Sequence, residues 1–216
     1  MKQNKNCFSD VLKWANEHRV RAETDFIMMA RHDHTTDNLD NRLCLDEVRK
    51  IIGDIINYDP HYQDEIMRTD FDIAEFHNLA NDIVCGVCID TICMIANGNV
   101  YPCPGWQSYI CGNVKDTPLK EIWYNSSKVQ YLRNLRTKDF PECITCTDKA
   151  FCAMCMVRNA NENQDGDHLK LNKHFCKVAE LNKEIVLNWK QKLIKEVKYD
   201  QNNHCMDSQM RSVWIN

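Results

Sequence analysis

No run of about eighteen consecutive apolar residues occurs in this chain, and a transmembrane helix is excluded on that ground. The opening residues, MKQNKNCFSDVLKW, are polar and lack an apolar stretch, so no export signal is expected. Basic residues are outnumbered, with 27 Lys and Arg against 31 Asp and Glu, and the formal charge of −4 leaves no polybasic footprint for nucleic acid. Glycine and proline are sparse, at six and five in 216 residues, and form no linker. No internal repeat divides the chain. The expectation is a soluble, intracellular, cytoplasmic protein with neither membrane nor nucleic-acid partner.

What the chain does not lack is cysteine. It has thirteen, ten of them between Cys85 and Cys176, ending in Cys143-x2-Cys146-x5-Cys152-x2-Cys155. A secreted disulfide scaffold is normally short and carries an export signal, whereas an odd count in CxxC pairs in a reducing compartment points to metal coordination. Two such pairs meeting in space supply four thiolates, which suits tetrahedral zinc or a cubane cluster. Eight cysteines, Cys85, Cys88, Cys103, Cys143, Cys146, Cys152, Cys155 and Cys176, divide into two four-thiolate sites with none stranded. Two clusters fit that count better than one zinc.

The expected fold class is α+β. Phe8, Val11, Leu12 and Ala15 recur at helical spacing and predict a helix over 9–18. The run Phe26-Ile27-Met28-Met29-Ala30 reads as a short buried strand, and Arg31 to Asn38 as a polar loop. Leu45, Val48, Ile51, Ile52, Ile55 and Ile56 trace a second helix face. Residues 1–60 thus look like part of an α/β unit whose single strand needs a larger sheet. Residues 61–84 are a connection, partly helical around Ile73 to Ile83. Residues 85–198 form a cysteine-rich domain and 199–216 a polar tail.

Within that domain Asn97-Gly98 predicts a two-residue hairpin turn, because type I′ geometry needs positive φ at both positions. Ala96 then faces Asn99, Cys93 pairs with Pro102 and Ile92 with Cys103. Alternation along a strand puts Cys93 and Cys103 on opposite faces, which argues against their sharing one cluster. Thr117-Pro118 opens a helix whose apolar side is Leu119, Ile122, Trp123, Val129, Leu132 and Leu135. A last long helix is expected from about Phe175 to Val197, with Val178, Leu181, Ile185, Trp189 and Leu193 on one stripe.

These residues carry a family resemblance. Cys85-x12-Gly98-x4-Cys103 with Val100-Tyr101-Pro102-Cys103, then Gly112-Asn113-Val114, Leu119-Lys120-Glu121-Ile122-Trp123, the 143/146/152/155 quartet and the isolated Cys176 resemble a SPASM domain. That domain is the C-terminal auxiliary-cluster domain of radical SAM enzymes that modify peptides and proteins. The resemblance covers roughly residues 85–180, and residues 9–58 are more weakly similar to the last part of the partial barrel that precedes such a domain. It implies two [4Fe-4S] clusters. Cys103 and Cys155 would serve the first with two of Cys85, Cys88 and Cys93, of which the hairpin argument drops Cys93. Cys143, Cys146, Cys152 and Cys176 would serve the second. The family has three residues before the last cysteine of the quartet, where this chain has Ala153-Met154.

One family feature is missing. A radical SAM enzyme needs CxxxCxxC, three thiolates that leave one iron open for S-adenosylmethionine, and no stretch here has that spacing. The chain alone is not expected to cleave that cofactor, which enters only if an upstream core is supplied; it reads as a fragment or degenerate product of a maturase, or else a stand-alone subunit. The implied partners are a peptide or protein substrate and an electron donor such as a ferredoxin or flavodoxin. Four protein thiolates leave no open iron, so full ligation favours electron transfer over substrate coordination. The competing reading is a zinc-stabilised interaction module without redox activity. Cys7, Cys44, Cys93, Cys111 and Cys205 read as plain thiols, His32 and His34 as part of a solvated loop, and Trp106 as packing that could shield a cluster cysteine.

Overall fold

A computed structural model describes residues 1–22, 25–71 and 80–211, with side chains described as far as 196. Helix α1, Phe8–Glu17, buries Leu12 and Ala15. Helix α2, Leu45–Tyr58, buries Val48, Ile51, Ile52 and Ile56, each no more than 2% exposed. Burial of such side chains stabilises by about 1.5–3 kcal/mol apiece, and the helical spacing that puts the four on one face explains why this segment is a helix. Its start is capped by Cys44, whose thiol accepts from the backbone while its own N–H donates to Glu47 Oε2 at 2.9 Å. Helix α3, Pro60–Arg68, begins with proline in the first turn, behind Asp59, whose carboxylate accepts from the N–H groups of His61 and Tyr62.

The predicted strand at 26–30 does not form. Among the described residues no strand precedes Cys93, so this segment has no ladder to join. Its carbonyls are met by side chains instead: Arg42 Nε donates to Met28 O at 2.9 Å, Asn38 Nδ2 to Met29 O at 2.9 Å and Asn161 Nδ2 to Ala30 O at 3.2 Å. The backbone is satisfied without a sheet, and the N-terminal part is helical where an α/β unit was expected. The predicted helix around Ile73 to Ile83 lies mostly outside the described residues; Ile83 itself forms an isolated antiparallel bridge with Arg136.

A small antiparallel sheet follows, in the order β1 (Cys93–Met94), β2 (Asn99–Tyr101), β3 (Gly112–Asn113). Its register corrects the hairpin expectation, since Cys93 opposes Tyr101 and Met94 opposes Val100. The turn is one residue longer than predicted. Gly98 N–H donates to Ile95 O at 2.9 Å, and Gly98 adopts φ +90 as the left-handed residue that closes a three-residue loop. Asn97 stays out of the positive-φ region, so the paired conformation that a type I′ turn requires is absent. The shift of one residue removes the stated reason for separating Cys93 from Cys103, and the strand in any case ends at Tyr101, before the chain bends at Pro102 and Cys103.

The single helix expected after Pro118 is two, α4 (Leu119–Asn125) and α5 (Ser127–Asn134). Ser126 between them has ψ 122, and its hydroxyl donates to Cys111 O at 2.8 Å. Pro118, not Thr117, is the residue that caps α4. Short helices α6 (Pro141–Ile144) and α7 (Met156–Glu162) lead to α8, Lys173–Arg211, longer at both ends than predicted. No helix among the described residues is long and apolar enough to cross a membrane.

Two cores result. The first gathers Val100, Trp106, Ile122, Val129, Leu132, Phe140 and Val157 around the sheet. The second joins the α2 face and Ile66 to Val178, Leu181 and Val186 of α8. Asn161, 1% exposed, ties the N-terminal segment to the first core through Ala30 O and through Gly105 O at 3.3 Å. Asn161→Ala leaves the buried Ala30 carbonyl without this donor, at a cost of about 1–3 kcal/mol, and the half-buried Gly105 carbonyl without it at a smaller one. Urea unfolding of Asn161→Ala is therefore expected to show several kcal/mol of lost stability, whereas Lys50→Ala, which removes an exposed i,i+4 pair with Asp54, changes stability by less than about 0.5 kcal/mol. Equal effects of the two substitutions would contradict this account of Asn161.

Candidate cluster-binding site

The thiols are brought together by short, locally determined elements. Pro141 in the first turn of α6 follows the buried Phe140, and this places Cys143 in a single helical turn. Cys146 lies one turn on and is exposed; its sulfur accepts the Asp148 N–H at 3.4 Å. Cys152 ends a 3-10 turn over Lys149–Phe151, and Cys155 is the N-cap of α7. Cys176 stands in the first turn of α8, where Asn172 O accepts its N–H at 3.4 Å. Thirty residues of chain separate it from Cys146, and α8 returns it.

The result is a group of four. Burial raises Cys143 above the ordinary thiol range, with Cys146 and Cys176 adding to the effect. Burial, followed by Cys176, Cys143 and Cys146, pushes Cys152 up to about 11. Cys176 is also raised by burial, and further by Cys146. All four line one cavity of about 220 Å³, with Arg158 and Phe175 on its wall. Three of them, Cys143, Cys146 and Cys152, also border a second cavity of about 250 Å³ on the side of Asp82 and Lys149.

A smaller group surrounds Cys103. Burial raises this thiol, and Cys155 and then Cys85 raise it further, which puts the three within electrostatic reach. The backbone N–H groups of Gly105 and Trp106 donate to its sulfur. Such donors stabilise a thiolate and tune a metal bound to it. A Cβ on Gly105 would lie 2.9 Å from Met29 Cε and 3.3 Å from Val157 Cγ1, so a larger residue there would need the end of the Met29 side chain to shift. Cys155 belongs to both groups, facing Cys103 electrostatically while lining the cavity of the four. Trp106 is 1% exposed and meets Tyr109 at a tilt and His168 edge-on, so its main role is core packing next to Cys103.

Cys88 stands apart. It is fully buried, and its thiol shares a hydrogen bond with Cys111, also buried. That bond holds Cys88 below the ordinary thiol range and, together with burial, drives Cys111 up, so Cys111 keeps its proton and donates it. Sequence spacing had not singled out Cys111, because the contact depends on where β3 and Arg133 sit. Cys93 is half-buried on β1, while Cys7 and Cys44 are exposed. Cys205 lies beyond the described side chains. His34 is held structurally, its Nδ1 3.0 Å from Ala160 O.

The donor set is all thiol, which soft metals and iron–sulfur clusters accept. Among the described residues no three His, Cys, Asp or Glu side chains converge closely enough to hold a single ion. The sulfurs border the two cavities described above. Cys152 supplies a test in the metal-free protein. Its folded-state thiol is raised from an ordinary value of 9.0 to about 11, so its contribution to stability is complete below about pH 9 and is lost as pH rises toward about 11. Thermal unfolding between those pH values is expected to fall more steeply in the wild type than in Cys152→Ala; parallel curves would contradict the raised thiol.

The family model described as the SPASM iron-sulfur cluster-binding domain matches residues 85–147. The match takes in Cys85, Cys88, Cys103, Cys143 and Cys146 and stops before Cys152, Cys155 and Cys176. An AdoMet-dependent heme synthase of Nitratidesulfovibrio vulgaris is 36% identical over 80 residues, 36% of this chain and 20% of that protein. An AdoMet-dependent heme synthase of Methanosarcina barkeri is 34% identical over 70 residues, 31% of this chain and 19% of that protein. The matched part of the chain spans about a fifth of the length of these relatives. No solved structure matches. Residues 85–147 of this chain are a SPASM iron–sulfur cluster-binding domain.

Proposed function

We propose that the chain carries two auxiliary [4Fe-4S] clusters as the C-terminal part of a radical SAM enzyme, where they transfer electrons, position substrate, or do both. The observation that carries this reading is the partition of the half-buried and exposed thiols into two groups, one around Cys103 and one around the cavity shared by Cys143, Cys146, Cys152 and Cys176. Cys143, Cys146, Cys152 and Cys176 would hold one cluster. Cys85, Cys103 and Cys155 would hold the other, with Cys88 the fourth candidate from the sequence spacing. When bound, each cluster supplies one-electron redox chemistry at a potential set by its thiolates, its burial and the N–H groups that point at its sulfurs. For the first site those donors are Gly105 and Trp106, and for the second the Asp148 N–H on Cys146.

The match to an iron-sulfur cluster-binding domain supports a cluster over zinc. With CxxxCxxC absent, cleavage of S-adenosylmethionine belongs to a core outside this sequence. The SPASM resemblance makes a peptide or protein the first substrate class, and a ferredoxin or flavodoxin the class of electron donor. The relatives' names favour a second reading, in which the same domain serves heme synthesis.

Anaerobic reconstitution of the full chain with iron and sulfide is expected to give brown protein with about eight iron and eight sulfide per chain. Cys146→Ala is expected to lose about half of that iron, since one of two four-iron sites loses a thiolate. Colourless protein with stoichiometric zinc would support the interaction-module reading, and unchanged iron in Cys146→Ala would overturn the ligand division.

A further inference from the structure

Ionic groups surround the thiols of the second site, and most of them are matched. Glu142 is paired with Lys173, and Asp148 with Lys183 at 2.9 Å. Arg42, which lies over the Phe175 ring, is paired with Glu162. Such pairs bring little net charge. Two cations differ. Arg158 lines the cavity of about 220 Å³ that Cys143, Cys146, Cys152 and Cys176 share. Its Nη1 donates to Ala153 O at 3.1 Å, and its guanidinium lies 4.9 Å from the centre of the Phe175 ring. Lys149 lines the cavity of about 250 Å³ that Cys143, Cys146 and Cys152 also border, and its Nζ donates to the Thr137 hydroxyl at 3.4 Å. Both acceptors are neutral oxygens, and among the described residues neither cation meets a carboxylate. The carboxylate on the Lys149 wall, Asp82, is exposed.

The fold holds both cations in place. Arg158 is half-buried in the first turn of α7, and its bond to Ala153 O closes the Cys152-x2-Cys155 turn. Lys149 is half-buried in the 3-10 turn that ends at Cys152, and its acceptor, Thr137, is 5% exposed. Their charges reach the sulfurs. Burial has the largest influence on Cys152, and Arg158 acts against it. Burial also leads at Cys143, where Lys149 acts against it. At Cys176 burial leads again, and there Lys173 and Glu142 pull in opposite senses, as a matched pair must. No cation acts on Cys103 in the first site, whose sulfur takes only the N–H groups of Gly105 and Trp106.

Resting on the proposed function, we infer that Arg158 and Lys149 set the reduction potential of the cluster held by Cys143, Cys146, Cys152 and Cys176, each through its positive charge. A cluster with four thiolates carries net negative charge, and reduction adds one more. A cation fixed beside it stabilises the reduced state more than the oxidised one, which raises the potential, and the effect is strongest where water is excluded. Removing either charge therefore lowers the potential without removing a ligand. The cluster around Cys103 has no such cation and is tuned by burial and backbone donors. The two sites thus answer to different controls.

The test is a potentiometric titration of the full chain, reconstituted anaerobically with iron and sulfide and followed by electron paramagnetic resonance. The wild type is expected to show two reduction steps. Arg158→Gln, which keeps a donor for Ala153 O but not the charge, is expected to shift one step to more negative potential. Lys149→Gln is expected to shift the same step in the same direction, with the other step and the iron content unchanged in both variants. Arg158→Lys and Lys149→Arg keep the charge and are expected to titrate like the wild type. A step that stays in place in either Gln variant with iron retained overturns the inference. So does a charge-keeping variant displaced as far as its Gln counterpart, which would make side-chain shape the cause. If Arg158→Gln loses iron because the 152–155 turn fails, Lys149→Gln decides, and an unmoved step there overturns the inference. A chain that takes up no iron, or shows one reduction step in the wild type, removes the proposed two-cluster function instead; unmoved steps at full iron leave that function standing.

Discussion

The return of Cys176 to the 143–152 loop is the constraint on which the rest of the molecule depends. Cys176 lies in the first turn of α8, and the residues of α8 that follow, Val178, Leu181 and Val186, bury against the face of α2. On the other side, Cys143, Met154 and Cys155 pack against the first core with Trp106, Phe140 and Val157. The thiol group therefore sits where two small cores meet. A three-stranded sheet with strands of two or three residues cannot organise such a chain by itself. A group bound by thiols at that junction would fasten both cores.

Burial gives the grouped thiols a common property. Burial raises Cys103, Cys143, Cys152 and Cys176, so each keeps its proton in the metal-free fold at neutral pH. Loading a metal or cluster releases those protons, and the free energy of ligation becomes free energy of folding. The backbone donors on Cys103 and Cys146 already point at sulfur, which prepares thiolates for ligation without creating them in advance. Cys88 and Cys111 solve the burial problem differently, by satisfying one another.

Helices α1 and α2 were legible in the chain because their apolar residues repeat at helical spacing and tertiary packing agrees with that pattern. The cysteine count allowed two four-thiolate sites, and the SPASM resemblance implied which thiols share each, with Cys176 as a distant member. Other features depended on partners remote in sequence. The run from Phe26 to Ala30 has strand composition, yet its carbonyls are claimed by Asn38, Arg42 and Asn161, the last 131 residues away from Ala30. Asn97-Gly98 is compatible with a two- or a three-residue loop, and one residue of difference moves Cys93 from opposite Pro102 to opposite Tyr101. The break at Ser126 follows from a hydroxyl that finds Cys111 O, and the pairing of Cys88 with Cys111 follows from the same approach of β3 to its neighbours. None of these leaves a local mark.

The central claim is that this chain holds two four-iron clusters, one at each thiol group, and intact-mass measurement under native conditions tests it most directly. Anaerobically loaded full chain is expected to carry two successive mass additions, each that of one four-iron, four-sulfide cubane. Additions equal to whole zinc ions, or a single cubane at saturation, would contradict it.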